Sequence, residues 1–439
     1  MHIGFVRMSL KKDMACSWKG CANMKEFEKI IGYEYVKQEL YRICDIMRNP
    51  EKYRKLGVTT PKGLLLTGEP GVGKTQMCLC LVEASKRPCI TVRKDRANGD
   101  FVNYIRNSFE KARNEAPSIV FLDDMDKFAN EDEMHRDAEE YVTVQSCIDD
   151  CKNSEVFVLA TTNSKYDLPD SLLRVGRFDK HISIEIPKGD DAVKIIDYYL
   201  KKKAVKVDVD AVEISRLIYG SSCAELETVV NEAGIYAAYD GRDAINREDF
   251  IKASLRTIFE APEATCRNNM EYERVVAFHE AGHVVAAEIM NPGSVNMVSI
   301  CKNYGSKEGI TSISYPEEHE VLKTDLEKKV ICRLAGKAAV EIVFGYADVG
   351  CNSDLCTAYE IVTNLVDDCC VYGFDTFEMH NTSDELLRNK ERKIAMEMER
   401  FYQLAKQLLI DNKELLQLVA DSLLEKKTLT YNDIKKLVG

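Results

Sequence analysis

Apolar positions follow one rhythm in the first 187 residues and another in the remainder. From Phe27 to about Pro187, short apolar runs alternate with amphipathic stretches. The runs at 63–67, 89–92, 118–122, 156–160 and 182–186 predict strands; 34–47, 75–84, 101–115 and 137–151 predict helices. Such alternation implies a parallel sheet with helices on both faces. From about Asp190 to Glu260 the pattern turns all-helical, with Leu226, Val229, Val230, Ala233, Ile235 and Ala237 expected on one stripe. Pro262 and the polar stretch 265–269 read as a linker. Helical patterns dominate beyond it, broken by a small sheet expected around 295–300 and 309–315. No internal repeat is evident. The expected division is a tail at 1–25, an α/β domain at 26–188, an all-helical region at 189–260 and a mainly helical domain at 261–439.

Composition narrows the class. The 439 residues are 45% hydrophobic and 30% charged, which suits well-buried cores and not disorder. A net charge of −12 argues against nucleic acid as a partner, since that surface needs clustered Lys and Arg. The short runs Lys201-Lys202-Lys203 and Lys426-Lys427 read as solvated faces. No apolar run approaches the roughly 18 residues of a membrane span, so direct membrane insertion is not expected. The first 25 residues lack the continuous apolar core of a secretory signal. The 16 cysteines are scattered and form no C-x-x-C pair, so free thiols in a reducing cytoplasm are expected.

His279-Glu280-Ala281-Gly282-His283 introduces chemistry. Histidines four apart on a helix share a face and can reach one ion. The intervening glutamate can hold and deprotonate a water, the arrangement of zinc hydrolases. Tyr272, Val275, Val276, Val284, Val285 and Ile289 recur at helical spacing, and Asn291-Pro292-Gly293 stops the helix.

A second motif, Gly68-Glu69-Pro70-Gly71-Val72-Gly73-Lys74-Thr75, stands between an apolar strand and a helical pattern, the context of a phosphate cradle. Gly68, Pro70, Gly71 and Gly73 shape the loop, Lys74 reaches the terminal phosphates of ATP, and Thr75 can ligate magnesium. The apolar run ending in Asp123-Asp124 supplies one carboxylate to hold magnesium through water and another to polarise the attacking water. The strand ending in Thr161-Thr162-Asn163 brings Asn163 beside the nucleotide. Arg174 and Arg177, three apart on a short turn, suit a reach across a subunit boundary to a neighbour's γ-phosphate; on spacing alone they serve equally as surface ion-pair partners.

In order and spacing these pieces resemble the AAA+ zinc metalloproteases of the FtsH family, from about Phe27 almost to Gly439. The resemblance extends to Asn49-Pro50-Glu51-Lys52-Tyr53, Arg174-x-Gly176-Arg177-Phe178-Asp179, Val230-Asn231-Glu232-Ala233, Leu334-Ala335-Gly336-Lys337-Ala338-Ala339 and Gly350-Cys351-Asn352-Ser353-Asp354-Leu355. It implies an α/β P-loop AAA+ ATPase domain with a helical lid, followed by a mainly helical zinc metalloprotease domain. It also implies a third zinc ligand at Asp354, which follows a Gly/Asn/Ser turn and opens a helical run. The residues by themselves leave Asp348, Glu341 and Asp325 equally open. His319 and His380 have no matching role and are expected on the surface.

Three departures modify what the resemblance implies. The family carries membrane-spanning segments ahead of the ATPase, and none is found here, so an enzyme without its own anchor, or with an anchoring partner, is expected. Asp124 stands where the family has glutamate, one methylene longer, which points to slow ATP turnover. The stretch Arg96-Ala97-Asn98-Gly99-Asp100 lacks the aromatic of the family's pore loop, and Ser221 and Cys223 alter the lid. The expected protein is a cytoplasmic ATP-dependent zinc endopeptidase of unfolded or loosely folded polypeptides, assembled as a homo-oligomeric ring, a hexamer. The alternatives are a remodelling or adaptor ATPase with a structural protease domain, and an ATP-independent metallopeptidase.

Overall fold

A computed structural model describes residues 24–95, 98–128, 138–164, 166, 168–174, 176–204, 206–261, 270–302, 309–314, 322–346, 350–374, 376 and 383–439. Arg96, Ala97, the stretch 262–269, His319, Asp348, His380 and all but the last two residues of the 1–25 tail lie outside them. The chain separates into two compact units that meet in sequence between Pro187 and Lys188.

In the first unit, strands β1 (Gly63–Gly68), β2 (Cys89–Val92), β3 (Ser118–Leu122), β4 (Val156–Thr162) and β5 (Lys180–Ile184) form a parallel sheet in the order β2-β3-β4-β1-β5. Strands β3 and β4 are buried along their whole length, the signature of a sheet covered on both faces. Helices α1 (Glu34–Arg48), α2 (Pro50–Arg54), α3 (Lys74–Ser85), α4 (Asn98–Asn114) and α5 (Ala138–Asp150) accompany the sheet. Phe101, Ile105 and Phe109 of α4 pack with Val144 and Ile148 of α5 in one core cluster. Several expected bounds shift by one to three residues. The last strand leaves its ladder at Ile184, paired with Gly68, rather than at Ile186. Helix α4 starts at Asn98, so Asn98, Gly99 and Asp100 form a helical turn.

The second unit opens with α6 (Gly189–Lys201), β6 (Lys206–Val207), α7 (Ala211–Leu217), α8 (Cys223–Tyr239), β7 (Ala244–Ile245) and α9 (Arg247–Thr257). Ser222 and Asn246 close capping boxes at the starts of α8 and α9. On α8 the expected stripe is buried except for Ile235, which is 51% exposed. At 100° per residue, Ile235 faces away from Leu226.

The remainder is built on α10 (Met270–Met290), buried on all sides from Ala281 to Glu288. Around it stand β8 (Val295–Ser299), β9 (Ile310–Ile313), α11 (Lys323–Phe344), α12 (Asn352–Asp367), α13 (Asp384–Asp411), α14 (Lys413–Lys426), β10 (Thr428–Thr430) and α15 (Tyr431–Val438). The strands form an antiparallel sheet in the order β10-β8-β9. Small residues let α10 and α11 approach closely: a Cβ on Gly282 would lie 2.5 Å from the Ala335 carbonyl oxygen and 2.8 Å from the Ala339 Cβ. The helical region at 189–260 is tied to the chain's C-terminal segment. Arg216 stacks 3.7 Å from the Tyr431 ring centroid, and Arg247 meets Thr430 and Asp433.

Candidate metal centre and nucleotide site

One turn of α10 separates His279 from His283, and their Nε2 atoms stand 3.1 Å apart. Asp354, in the first turn of α12, brings Oδ2 to 3.4 Å from His279 Nε2 and 3.3 Å from His283 Nε2. Ligand atoms about 2.0–2.1 Å from a tetrahedral ion stand about 3.3 Å apart, so this triangle fits zinc. The donor set, two imidazoles and one carboxylate, is that of an open catalytic site. His283 Nδ1 donates to the Cys332 carbonyl at 2.7 Å, which leaves the Nε2 lone pair turned toward the centre.

The outer oxygen of Asp354 is also held. Oδ1 accepts from Arg333 Nη1 at 3.2 Å. Burial opposes the charge of Asp354, but the adjacent His279 and His283 outweigh it and keep the carboxyl well below the usual carboxylate range. Glu280 is buried beside the triangle, its Oε2 accepting from Thr311 Oγ1 on β9 at 2.5 Å. A cleft of about 500 Å³ opens onto these groups, lined in part by Tyr272, Val275, Val276, Ile310 and Arg333. Gly336 on α11 leaves room for the imidazoles: a Cβ there would lie 2.5 Å from His283 Nε2 and 2.6 Å from His279 Nε2.

Of the acids that the residues left open, Asp354 alone joins the described cluster of ligand atoms. Glu341 pairs with Lys406 at 2.6 Å and Asp325 with Lys328 at 3.7 Å. Asp348, His319 and His380 lie outside the described residues.

In the first unit, Gly68 ends β1, and Gly71 (φ 82°) and Gly73 (φ 94°) turn the loop through conformations that side chains rarely adopt. Pro70 lies between these glycines, and α3 begins at Lys74. Lys74 is buried and donates from Nζ to the Gly68 and Glu69 carbonyls at 2.7 and 2.9 Å and to Asn163 Oδ1 at 3.0 Å. Burial lowers its pKa, while Asp124, Asp126 and Asp123 act in the opposite sense. Asp123 Oδ1 accepts from Thr75 Oγ1 at 2.9 Å and from Thr161 Oγ1 at 2.8 Å. Its Oδ2 accepts from Arg93 Nε at 2.7 Å. Asp124 adopts a left-handed backbone (φ 54°) and pairs with Lys127 at 2.6 Å. Asn163 Nδ2 donates to Asp126 at 2.9 Å, completing a Lys74–Asn163–Asp126 chain.

The two arginines differ. Arg174 is exposed. Arg177 is held inside its own chain: Nη2 and Nε donate to Asp149 at 2.8 and 3.1 Å, and Nη1 to the Ser171 carbonyl. The hydrogen bond from Arg177, opposed by partial burial, brings the Asp149 pKa down to about 2. Sequence reasoning missed Arg93, Asp149, Thr311 and Arg333, which act through space and carry no local motif, and it read the strand end at Thr161 without its bond to Asp123. Gly336 belonged to a recognised segment, but the spacing did not reveal its closeness to the histidines.

Residues 64–186 match the ATPase family associated with various cellular activities (AAA), and residues 267–437 match peptidase family M41. The ATP-dependent zinc metalloprotease FtsH 2 of a Thermoanaerobacter species is 31% identical over 427 residues, covering 94% of this chain and 82% of the relative. The chain belongs to the FtsH family of ATP-dependent zinc metalloproteases. The FtsH proteins of Thermus thermophilus and Caldicellulosiruptor bescii are each 29% identical, over 450 and 471 residues, covering 94% and 98% of this chain and 70% and 75% of the relatives. Within this FtsH-family fold, an AAA α/β unit precedes a mainly helical M41 region. No described helix is long and apolar enough to cross a membrane.

Proposed function

We propose that this chain is an ATP-dependent zinc endopeptidase that degrades unfolded or loosely folded polypeptides in a homo-hexameric ring. The observation that carries the reading is the triangle of His279, His283 and Asp354 with Glu280 beside it, in one chain with a phosphate loop. The complete set favours an enzyme over a remodelling ATPase with an inert peptidase domain. In this reading 26–188 bind nucleotide, 189–260 form the lid and 261–439 form the peptidase.

Bound zinc supplies a Lewis acid that polarises the scissile carbonyl and acidifies water. His283 is held by the Cys332 carbonyl in the tautomer that presents Nε2, and Arg333 restrains the third ligand. Glu280 accepts the proton of the attacking water and returns it to the departing amine as the peptide C–N bond breaks. The Thr311 hydroxyl holds one Glu280 oxygen, leaving the other for that transfer. The apolar part of the cleft accommodates an extended chain and reduces the water around the reacting groups.

In the ATPase half, Gly68, Pro70, Gly71 and Gly73 shape the phosphate loop, and Lys74 neutralises terminal phosphate charge. Thr75 and Asp123 would hold magnesium, Asp124 would orient the attacking water, and Asn163 links Lys74 to Asp126. Arg174, exposed on its turn, suits the reach to a neighbouring subunit. Arg177, paired with Asp149, would support that turn and reach across only by releasing its partner. The absence of nucleic-acid partners and of direct membrane insertion belongs to the same proposal. A reducing, cytoplasmic location belongs to the same reading, in keeping with scattered cysteines that form no C-x-x-C pair.

Casein incubated with the purified protein provides the test, with ATP, without nucleotide and with a zinc chelator. Cleavage that needs ATP and stops with the chelator is expected. Cleavage indifferent to both would overturn the reading.

A further inference from the structure

The Asp123 carboxylate has no acceptor site to spare. An ionised carboxylate offers about four lone-pair positions. On Oδ1 two are taken by the hydroxyls of Thr75 and Thr161. On Oδ2, Arg93 brings both Nε, at 2.7 Å, and Nη2, at 2.5 Å. Asp123 is only 4% exposed, and Arg93 forms an ion pair with it at Oδ2.

We propose that Arg93 is an internal cation of the nucleotide site that competes with magnesium for Asp123 Oδ2. The inference rests on the proposed ATP–magnesium role of Thr75 and Asp123. A hydrated magnesium ion reaches a strand-end aspartate through water that donates to the carboxylate, and that water needs the oxygen Arg93 holds. Thr161 lies on the buried strand β4 and cannot withdraw. Thr75 can turn its oxygen to the ion while its hydroxyl proton stays on Asp123. Arg93 has freedom to leave: its side chain is 60% exposed, just beyond β2. A cleft of about 320 Å³ beside it, lined by Thr91 and Tyr104 among others, gives the guanidinium room.

Two occupancies of one oxygen follow. With Arg93 on Asp123 the carboxylate is neutralised and the magnesium position is weakened. With magnesium bound, Arg93 swings outward. Each occupant lowers the affinity of the other, so the gain in nucleotide affinity from magnesium is smaller than the phosphate loop alone would give.

Equilibrium binding tests this without catalysis. An ATP analogue with an uncleavable β–γ bridge is titrated into the full chain and into Arg93→Gln and Arg93→Lys. Each is measured at saturating magnesium and in magnesium-free buffer with no other free divalent cation. The ratio of the two dissociation constants should rise at least about fivefold in Arg93→Gln and less in Arg93→Lys, the lower end of ordinary coupling between linked sites. In an Asp123→Asn background, Arg93→Gln should leave the ratio unchanged. Circular dichroism confirms that each variant is folded. An unchanged ratio in folded Arg93→Gln overturns the competition while leaving the nucleotide site intact. A persistent effect in the Asp123→Asn background also overturns it, because Arg93 would then act on the nucleotide directly. A folded wild-type chain that binds no analogue overturns this inference and the proposed ATPase site together.

Discussion

Gly336 shows how much of the metal centre depends on what a residue lacks. A methyl group at that position would press on both histidine Nε2 atoms, at 2.5 and 2.6 Å. Gly336→Ala should therefore weaken zinc affinity at least about tenfold, the low end of the effect of disturbing a ligand's surroundings, while the nucleotide half stays folded. Competition with a zinc-chelating dye of known affinity reads it directly. Arg333→Ala, which frees Asp354 Oδ1, should speed zinc release to a competing chelator by about 10-fold or more. Unchanged release would mean that Asp354 needs no restraint.

At this scale legibility follows distance along the chain. His279, Glu280 and His283 were readable because one helical turn converts their spacing into geometry. Asp354 arrives from another helix and became preferable to Asp325 and Glu341 only through the family resemblance. Arg333 and Thr311 were invisible: their roles depend on which backbone lies across a cleft, and their own neighbours in sequence carry no sign of it.

At the scale of elements, the α10–α11 contact is the most demanding. Gly282 faces the Ala335 carbonyl, and the adjoining positions Ala281, Ala335, Ala338 and Ala339 are all fully buried. Gly282→Val forces a branched side chain into that gap and should destabilise the fold by about 1–3 kcal/mol or more, as overpacking does. Thermal unfolding monitored in the peptidase half measures this; an unshifted midpoint would show that the helices can separate. Periodicity predicted α10 itself correctly but missed the start of α4, where Asn98 and Gly99, poor helix formers, enter the helix ahead of Phe101 and Ile105. Tertiary packing overrides their propensity.

The turn between β4 and β5 carries its own contrast. Arg174→Ala should keep nucleotide binding and lose hydrolysis, since its side chain is exposed. Arg177→Ala should also lower the thermal stability of the first unit, because Asp149 and the Ser171 carbonyl lose their partner. Equal thermal midpoints for the two variants would contradict the division.

For the whole molecule, the alternation of strands and helices made the α/β unit legible, and the helical periodicities announced the mainly helical remainder. The tie between the helical region at 189–260 and the C-terminal segment was not legible, because Arg216 meets Tyr431 across more than half of the second unit's length. Substrate handling also belongs to this scale. The pore-like stretch offers no aromatic grip in Asn98, Gly99 or Asp100, and Arg96 and Ala97 lie outside the described residues. Unfolding a stable domain works against about 5–15 kcal/mol, whereas a loose chain needs only entry to the cleft. An unstructured polypeptide should therefore be degraded much faster than a folded domain carrying the same tail. Equal rates, with ATP required for both, would show that another residue grips.

The most direct test of the zinc endopeptidase is the rate of ATP-supported casein cleavage by Glu280→Gln at zinc content matched to the wild type. The amide keeps the shape of the carboxylate but cannot accept the proton of the attacking water, so cleavage should fall by about 10²–10⁴-fold while zinc and ATP binding persist. Cleavage at near wild-type rate, with zinc in place, would contradict the assignment of Glu280 and with it the proposed chemistry.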